Sequence, residues 1–170
     1  MLSHLHNLIN SVIPIISIEQ ISDNNFNIQF VNPNNVNNNI STQINNIINS
    51  WPLTQSKISK LKELDSHWNV IIQDGFTTSY GWKLGLQNND VTLLTGAFLL
   101  AKEVANMNIS QNATIVDLAG VSHILSINDF TMLMLEYGQY RTNLSTEYSN
   151  KKNLIDNAQT IEEVNNIPII

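Results

Sequence analysis

The sequence predicts an α+β fold: a small N-terminal β-hairpin, amphipathic helices, and a second hairpin leading into a long C-terminal helix. Three observations carry that expectation. Apolar residues recur at intervals of three and four over several separate stretches, the helical period. Two stretches, 15–31 and 113–127, instead alternate or run apolar around turn residues, as paired strands do. A seam from Phe130 to Ile155 keeps its helical spacing far longer than an average helix does.

The 170 residues fit one domain of ordinary size with room for a small appendage. The chain has no cysteine, so it has neither a disulfide framework nor a thiolate metal site. Only 13% of residues are charged, eight basic against fourteen acidic, and the net charge is −6. Phosphate binding relies on clustered Lys and Arg, so this balance argues against nucleic acid and against docking on anionic lipid. Polarity comes from amides, asparagine above all, as expected of an AT-rich coding sequence. No apolar run approaches the roughly 18 residues that cross a bilayer, so no membrane insertion is expected. The opening MLSHLHNLINSVIPII lacks the basic start and small-residue cleavage site of a signal peptide.

Leu2, Leu5, Leu8, Ile9, Val12 and Ile13 share one helical face behind Ser3 as a cap, and Pro14 stops that helix. IISIEQI and FNIQFV read as two strands joined at Ser22–Asn25, because Asp and Asn tolerate left-handed backbone. NPNNVNNN (32–39) is the clearest linker. It divides a helix-plus-hairpin appendage, residues 1–38, from a helical α+β domain, 39–170. The appendage is a candidate attachment segment, too small to stand alone.

Beyond the linker, Ile40, Ile44, Ile47, Ile48 and Trp51 predict a short helix ended by Pro52. Thr54 then caps a second helix with the stripe Ile58, Leu61, Leu64, Trp68, Ile71 and Ile72, closed by Gly75. TTSYGWKLGL suits a strand or a strand-turn-strand. Asn89 or Asp90 caps a helix bearing Val91, Leu94, Phe98, Ala101 and Ala105. Residues 113–127 form a hairpin turning near Asp117–Gly120, where glycine suits a positive φ. The last long helix starts at Ser126 or Asn128, with the stripe Phe130, Leu133, Tyr137, Tyr140, Leu144, Tyr148 and Ile155. An exposed trimeric stalk and a helix packed across its own domain are both consistent with that stripe. Its tyrosines favour packing, since coiled-coil seams prefer branched aliphatics. Thr160 and Glu163 form a capping box for a final turn.

No constellation for chemistry emerges. His4 and His6 point apart on a helix. His67 lies beside Trp68 at the edge of a stripe. His123 is placed to pair with Asp117, but Ser122, the nearest nucleophile, faces the opposite side of a strand. The carboxylates Asp65, Asp74, Glu162 and Glu163 are explained by capping or solvation, and no phosphate-binding glycine loop is present. No enzyme, metal or cofactor is therefore expected. Trp51 and Trp68 lie on helical stripes and read as core. Trp82, Tyr137, Tyr140 and Tyr148 are the candidate interface residues, aromatic side chains being enriched at contact hot spots.

Two stretches resemble a domain of unknown function found in bacteriophage tail proteins, often at the end of tail fibres. One is Asp117 to Ser126 followed by Asp129-Phe130, similar to that family's acidic-glycine turn, short strand and polar cap opening a long helix. The other is Leu154 to Val164, similar to its closing pattern of a helix end and a capped turn. Asp74-Gly75-Phe76 through Gly81-Trp82 is compatible with the strand before this unit, and the resemblance spans about residues 70–167. It implies a tail fibre, adaptor or baseplate-associated protein, made in the host cytoplasm and carried in the virion. The partners implied are other phage tail proteins, with a homo-oligomer, trimer or hexamer, as the expected state. Leu135 to Leu144 also resembles a helix of tail-fibre assembly chaperones, with Tyr where those have Trp and without their proline-rich tail. That implies, as the alternative, a chaperone not retained in the virion.

Overall fold

A computed structural model of the chain describes residues 2–22, 25–107, 109 and 112–169. The fold is α+β, mixed helix and strand with small antiparallel hairpins. In order come α1 (Leu2–Asn10), β1 (Ile15–Ser22), β2 (Asn25–Phe30), α2 (Asn38–Asp74), β3 (Phe76–Thr77), β4 (Lys83–Leu84) and α3 (Asn88–Asn106). They are followed by β5 (Ala113–Val116), β6 (Ser122–Leu125), α4 (Ile127–Asn157) and α5 (Ile161–Asn165). Each consecutive pair of strands forms its own antiparallel two-stranded sheet.

The residues gather into two compact units. The first runs to Lys62 and takes in Leu154–Pro168; the second is Glu63–Asn153 with Ile169. The N-terminal helix and hairpin are thus one part of the first unit. Its core is Leu5, Ile9, Ile13 and Ile15 packed with Ile44 and Trp51 of α2, and one face of the hairpin (Ile18, Phe26, Ile28, Phe30) closes on it. The segment expected to need a partner finds one in residues 40–51. The indole N–H of Trp51 is buried without an acceptor, a cost of about 1–3 kcal/mol that its burial must outweigh. Lys57 Nζ donates to the Asp156 carbonyl at 2.7 Å within the same unit.

Several boundaries differ from those the sequence predicts. α1 ends at Asn10, four residues before Pro14, and Ile15 N–H is taken by the Asn10 side chain at 3.0 Å. Leu2 is already helical, so Ser3 lies inside α1 and is not its cap. Pro52 does not divide two helices: α2 runs unbroken through it. A proline in a helix removes one N–H, the donor to the carbonyl four residues back, and the flanking turns continue when packing holds them. Trp51, 1% exposed, anchors that point, and Thr54 donates its hydroxyl to the Ser50 carbonyl from inside the helix instead of capping a new one. The amide of Asn37 caps α2, accepting from Ile40 N–H. The 32–39 stretch carries a short 3-10 turn, Pro33–Asn35.

The second unit has the larger core: Phe76, Leu84, Leu86, Leu94, Ile115, Leu125, Phe130, Leu133 and Tyr137. TTSYGWKLGL folds as strand, turn and strand, β3 and β4. Thr78 N–H and its hydroxyl both reach the Trp82 carbonyl at 2.9 Å, closing the turn. Gln87, not Asn89 or Asp90, is the N-cap of α3, and Asp90 at the third helical position accepts from Gln87 N–H. Ser126 caps α4, its hydroxyl accepting from Asp129 N–H. Along α4, Phe130, Leu133 and Tyr137 are buried, so that part of the predicted seam is core of its own unit. In the first unit Thr160 caps α5, its hydroxyl taking Glu163 N–H.

Candidate protein-contact surface

The hairpin of β5 and β6 sets the geometry of the second unit's surface. Its strands pair as Ala113 with Leu125, Thr114 with Ile124, Ile115 with His123 and Val116 with Ser122. Strand side chains alternate, so Ile115, His123 and Leu125 face the core and Thr114, Val116, Ser122 and Ile124 face outward. Five residues, Asp117 to Val121, join the strands. Gly120 N–H donates to the Asp117 carbonyl, Asp117 N–H to the Val121 carbonyl, and Gly120 has φ +82°, the left-handed position this loop demands.

Asp117 is the lock of that loop. Its Oδ1 accepts from Ala119 N–H at 2.9 Å and Val121 N–H at 2.8 Å, and its Oδ2 accepts from His123 Nε2 at 2.8 Å. A carboxylate only accepts, so Nε2 is the protonated ring nitrogen of His123. The His123 hydrogen bond first, then that of Val121, holds the Asp117 carboxyl below its ordinary value. The Trp82 ring stacks on His123 at 4.3 Å between centroids, and Tyr80 stacks on Trp82 at 5.9 Å. Ser122 points to the outer face, away from His123. The Asp–His pair orients this turn. Among the described residues no three His, Cys, Asp or Glu side chains gather as a metal site would need. No described helix is long and apolar enough to cross a membrane.

The four aromatic residues singled out from sequence do not form one patch. Trp82 is half-buried in the stack just described. Tyr137 is core, 2% exposed, with its hydroxyl donating to the Gly85 carbonyl at 2.7 Å; burial pushes its pKa up. Tyr140 leans on Phe76 at 4.9 Å. Tyr148 packs against Trp68 at 4.7 Å and donates to Asp65 at 2.6 Å, a bond that raises its pKa. Each of these rings has a partner inside its own unit.

The exposed apolar residues lie elsewhere. On the hairpin Val116, Leu118, Val121 and Ile124 are exposed, Ile124 to 70%; on α3 Leu93, Leu99 and Leu100 are, Leu100 to 68%. Between these elements runs a trench. One cavity of ≈ 380 Å³ is walled by Leu93, Leu94 and Ala97 of α3 and by Thr114, Ile115 and Val116 of β5, with Asp90, Asp117 and Leu118 at its end. It shares Ala97 and Thr114 with a second of ≈ 310 Å³, walled by Leu100, Ala101, Val104 and Ala113. Exposed apolar side chains grouped along a groove mark a surface fitted to another molecule. Sequence periodicity showed α3 as a helix with the inward stripe Val91, Leu94, Phe98 and Ala101. The neighbouring stripe Leu93, Ala97, Leu100 and Val104, at steps of four, three and four, was the available signal for the trench.

The chain matches no protein-family model, no curated protein and no solved structure.

Proposed function

We propose that this chain is a structural component of a bacteriophage tail (fibre, adaptor or baseplate-associated) that acts through protein–protein contacts. The observation that carries the contact reading is the apolar trench and exposed hairpin face of the second unit, bare of charged side chains except at one end. The tail itself rests on the resemblance of Asp117–Ser126 with Asp129-Phe130 and of Leu154–Val164. The hairpin, its acidic-glycine turn and the capped helix fall on the residues that carry that resemblance. A net charge of −6 supports protein partners over nucleic acid.

Quantitative mass spectrometry of purified particles tests this reading. A tail component is recovered at a small fixed multiple of three or six relative to the capsid protein. A chain abundant in infected lysate yet missing from particles overturns it and supports the assembly chaperone instead.

A further inference from the structure

A two-stranded ribbon has two open edges, and at β5 one of them adjoins the trench. The register decides which backbone groups face outward. Asp117 N–H donates to the Val121 carbonyl, so that pair is hydrogen-bonded, and bonded and non-bonded pairs alternate along an antiparallel ladder. Ile115 with His123 and Ala113 with Leu125 are then the bonded pairs. Thr114 and Val116 turn their N–H and C=O groups away from β6, and among the described residues these groups have no backbone partner. Both residues line the trench.

Three features define an occupant. The far wall is apolar, with the small Ala97 where the two cavities join. The edge offers two donors and two acceptors, and a ligand without matching groups would leave each unpaired at about 1–3 kcal/mol if it excluded water. The charged residues lining the trench are Asp90 and Asp117, both acidic and both at its Leu118 end. Asp117 is occupied by its three donors, whereas Asp90 uses one oxygen for Gln87 N–H.

We infer that the trench takes an extended apolar segment of another protein, basic at the end nearest Asp90, which adds to β5 as a third strand through Thr114 and Val116. This deepens the protein-contact reading above and rests on it only for the partner being a protein. About four residues at ~3.3 Å each span the edge.

The test titrates the full, isotope-labelled chain with synthetic hexapeptides. One is Lys-Val-Thr-Val-Thr-Val, one begins with Glu instead, and one is the first peptide N-methylated on the amides that would face β5. The Lys peptide is expected to shift the Thr114 and Val116 amides and slow their hydrogen exchange. The Glu peptide binds about fivefold more weakly or less, as charge complementarity requires, and the methylated one does not bind. Ala97→Trp, which fills the trench, and Thr114→Pro, which deletes an outward N–H that the β5–β6 ladder does not use, abolish binding while the Phe130 and Leu133 methyl and ring signals keep their native positions.

The inference is overturned if saturating Lys peptide leaves Thr114 and Val116 unprotected, or if the methylated peptide binds as well. It is equally overturned if the free chain protects these amides in a concentration-dependent way that Thr114→Pro removes, because the occupant is then a second copy. Peptide binding by a chain absent from particles would sink the tail reading alone. A particle component that binds no peptide would sink the trench alone.

Discussion

The hairpins of the two units reach order by different routes. β1 and β2 are eight and six residues long, yet their pairing slips between Ile15 and Ser17 and again between Gln20 and Ser22. β5 and β6 have four residues each and an uninterrupted register. The long ribbon lays Ile18, Phe26, Ile28 and Phe30 on a core of Leu5, Ile9 and Trp51, and that face fixes which side is inward despite the irregularities. The short ribbon also buries one face, through Ile115 and Leu125, but with only four pairs it adds a second constraint on register at its turn, through Asp117, His123 and Gly120. A buried face tolerates backbone irregularity; a turn-locked ribbon concentrates its stability in a few atoms.

The strongest way to break this comparison is to empty each core. Trp51→Ala and Phe130→Ala should each cost about 3–5 kcal/mol. Hydrogen exchange should accelerate first in β1–β2 for the former and first in β5–β6 for the latter. If both substitutions loosen both hairpins alike, the two units do not hold their hairpins separately.

Next come the glycines. Gly75 (φ +80°) and Gly120 (φ +82°) share a backbone conformation, but a Cβ on Gly75 would sit 2.6 Å from the Leu84 carbonyl oxygen while one on Gly120 meets nothing within 4 Å. Gly120→Ala should therefore cost about 1–2 kcal/mol, the left-handed penalty alone. Gly75→Ala should exceed it by about 1–3 kcal/mol of overpacking. Chemical denaturation of the two variants checks the order.

Acid sharpens the contrast further. The folded Asp117 carboxyl sits below its ordinary value, so its contribution is present above the unfolded pKa and is lost as pH falls through the folded one. Below about pH 4, the ordinary carboxyl range, the Ala119 and Val121 amides should begin to exchange. Asp117→Asn should flatten this response. The smallest effect belongs to Tyr148→Phe, about 0.5–1.5 kcal/mol for one hydrogen bond to Asp65. Because that bond raises the tyrosine pKa, the contribution holds below the unfolded value and fades as pH rises through the folded one.

Much of this architecture can be read from the residues. The stripes, both hairpins, the Asp117–Gly120 turn, the Asp117–His123 pair and the Ser126 cap follow from local rules of period and turn chemistry. Pro52 misleads because the rule it obeys concerns a single hydrogen bond, whereas burial of Ile44 and Trp51 on one side and Leu64 on the other keeps the whole helix formed. Gln87 is passed over because glutamine ranks low as a cap, and Asp90 supplies the reciprocal bond that fixes it there. The trench is the least legible part. α3 is apolar on two adjacent stripes, and only the placement of β5 decides which is buried and which is left to line a groove. The aromatic residues drew attention by type, but Tyr137, Tyr140 and Tyr148 each found a partner inside the unit.

The first unit is discontinuous, closing only with Leu154–Pro168 and the Lys57 bond to Asp156. A ribosome delivers residues 63–153 before that closing strip exists. The unit that takes in residues 2–62 is accordingly completed only after residues 63–153 of the other have been made. Ile155 and Val164, both fully buried, arrive with that strip, after the core of Leu5, Ile9, Ile13, Ile15, Ile44 and Trp51 has already been made. During translation the helix-and-hairpin core of residues 5–51 can therefore close well before the strip arrives, and a ribosome stalled at residue 153 would leave bare the surfaces that Ile155 and Val164 cover.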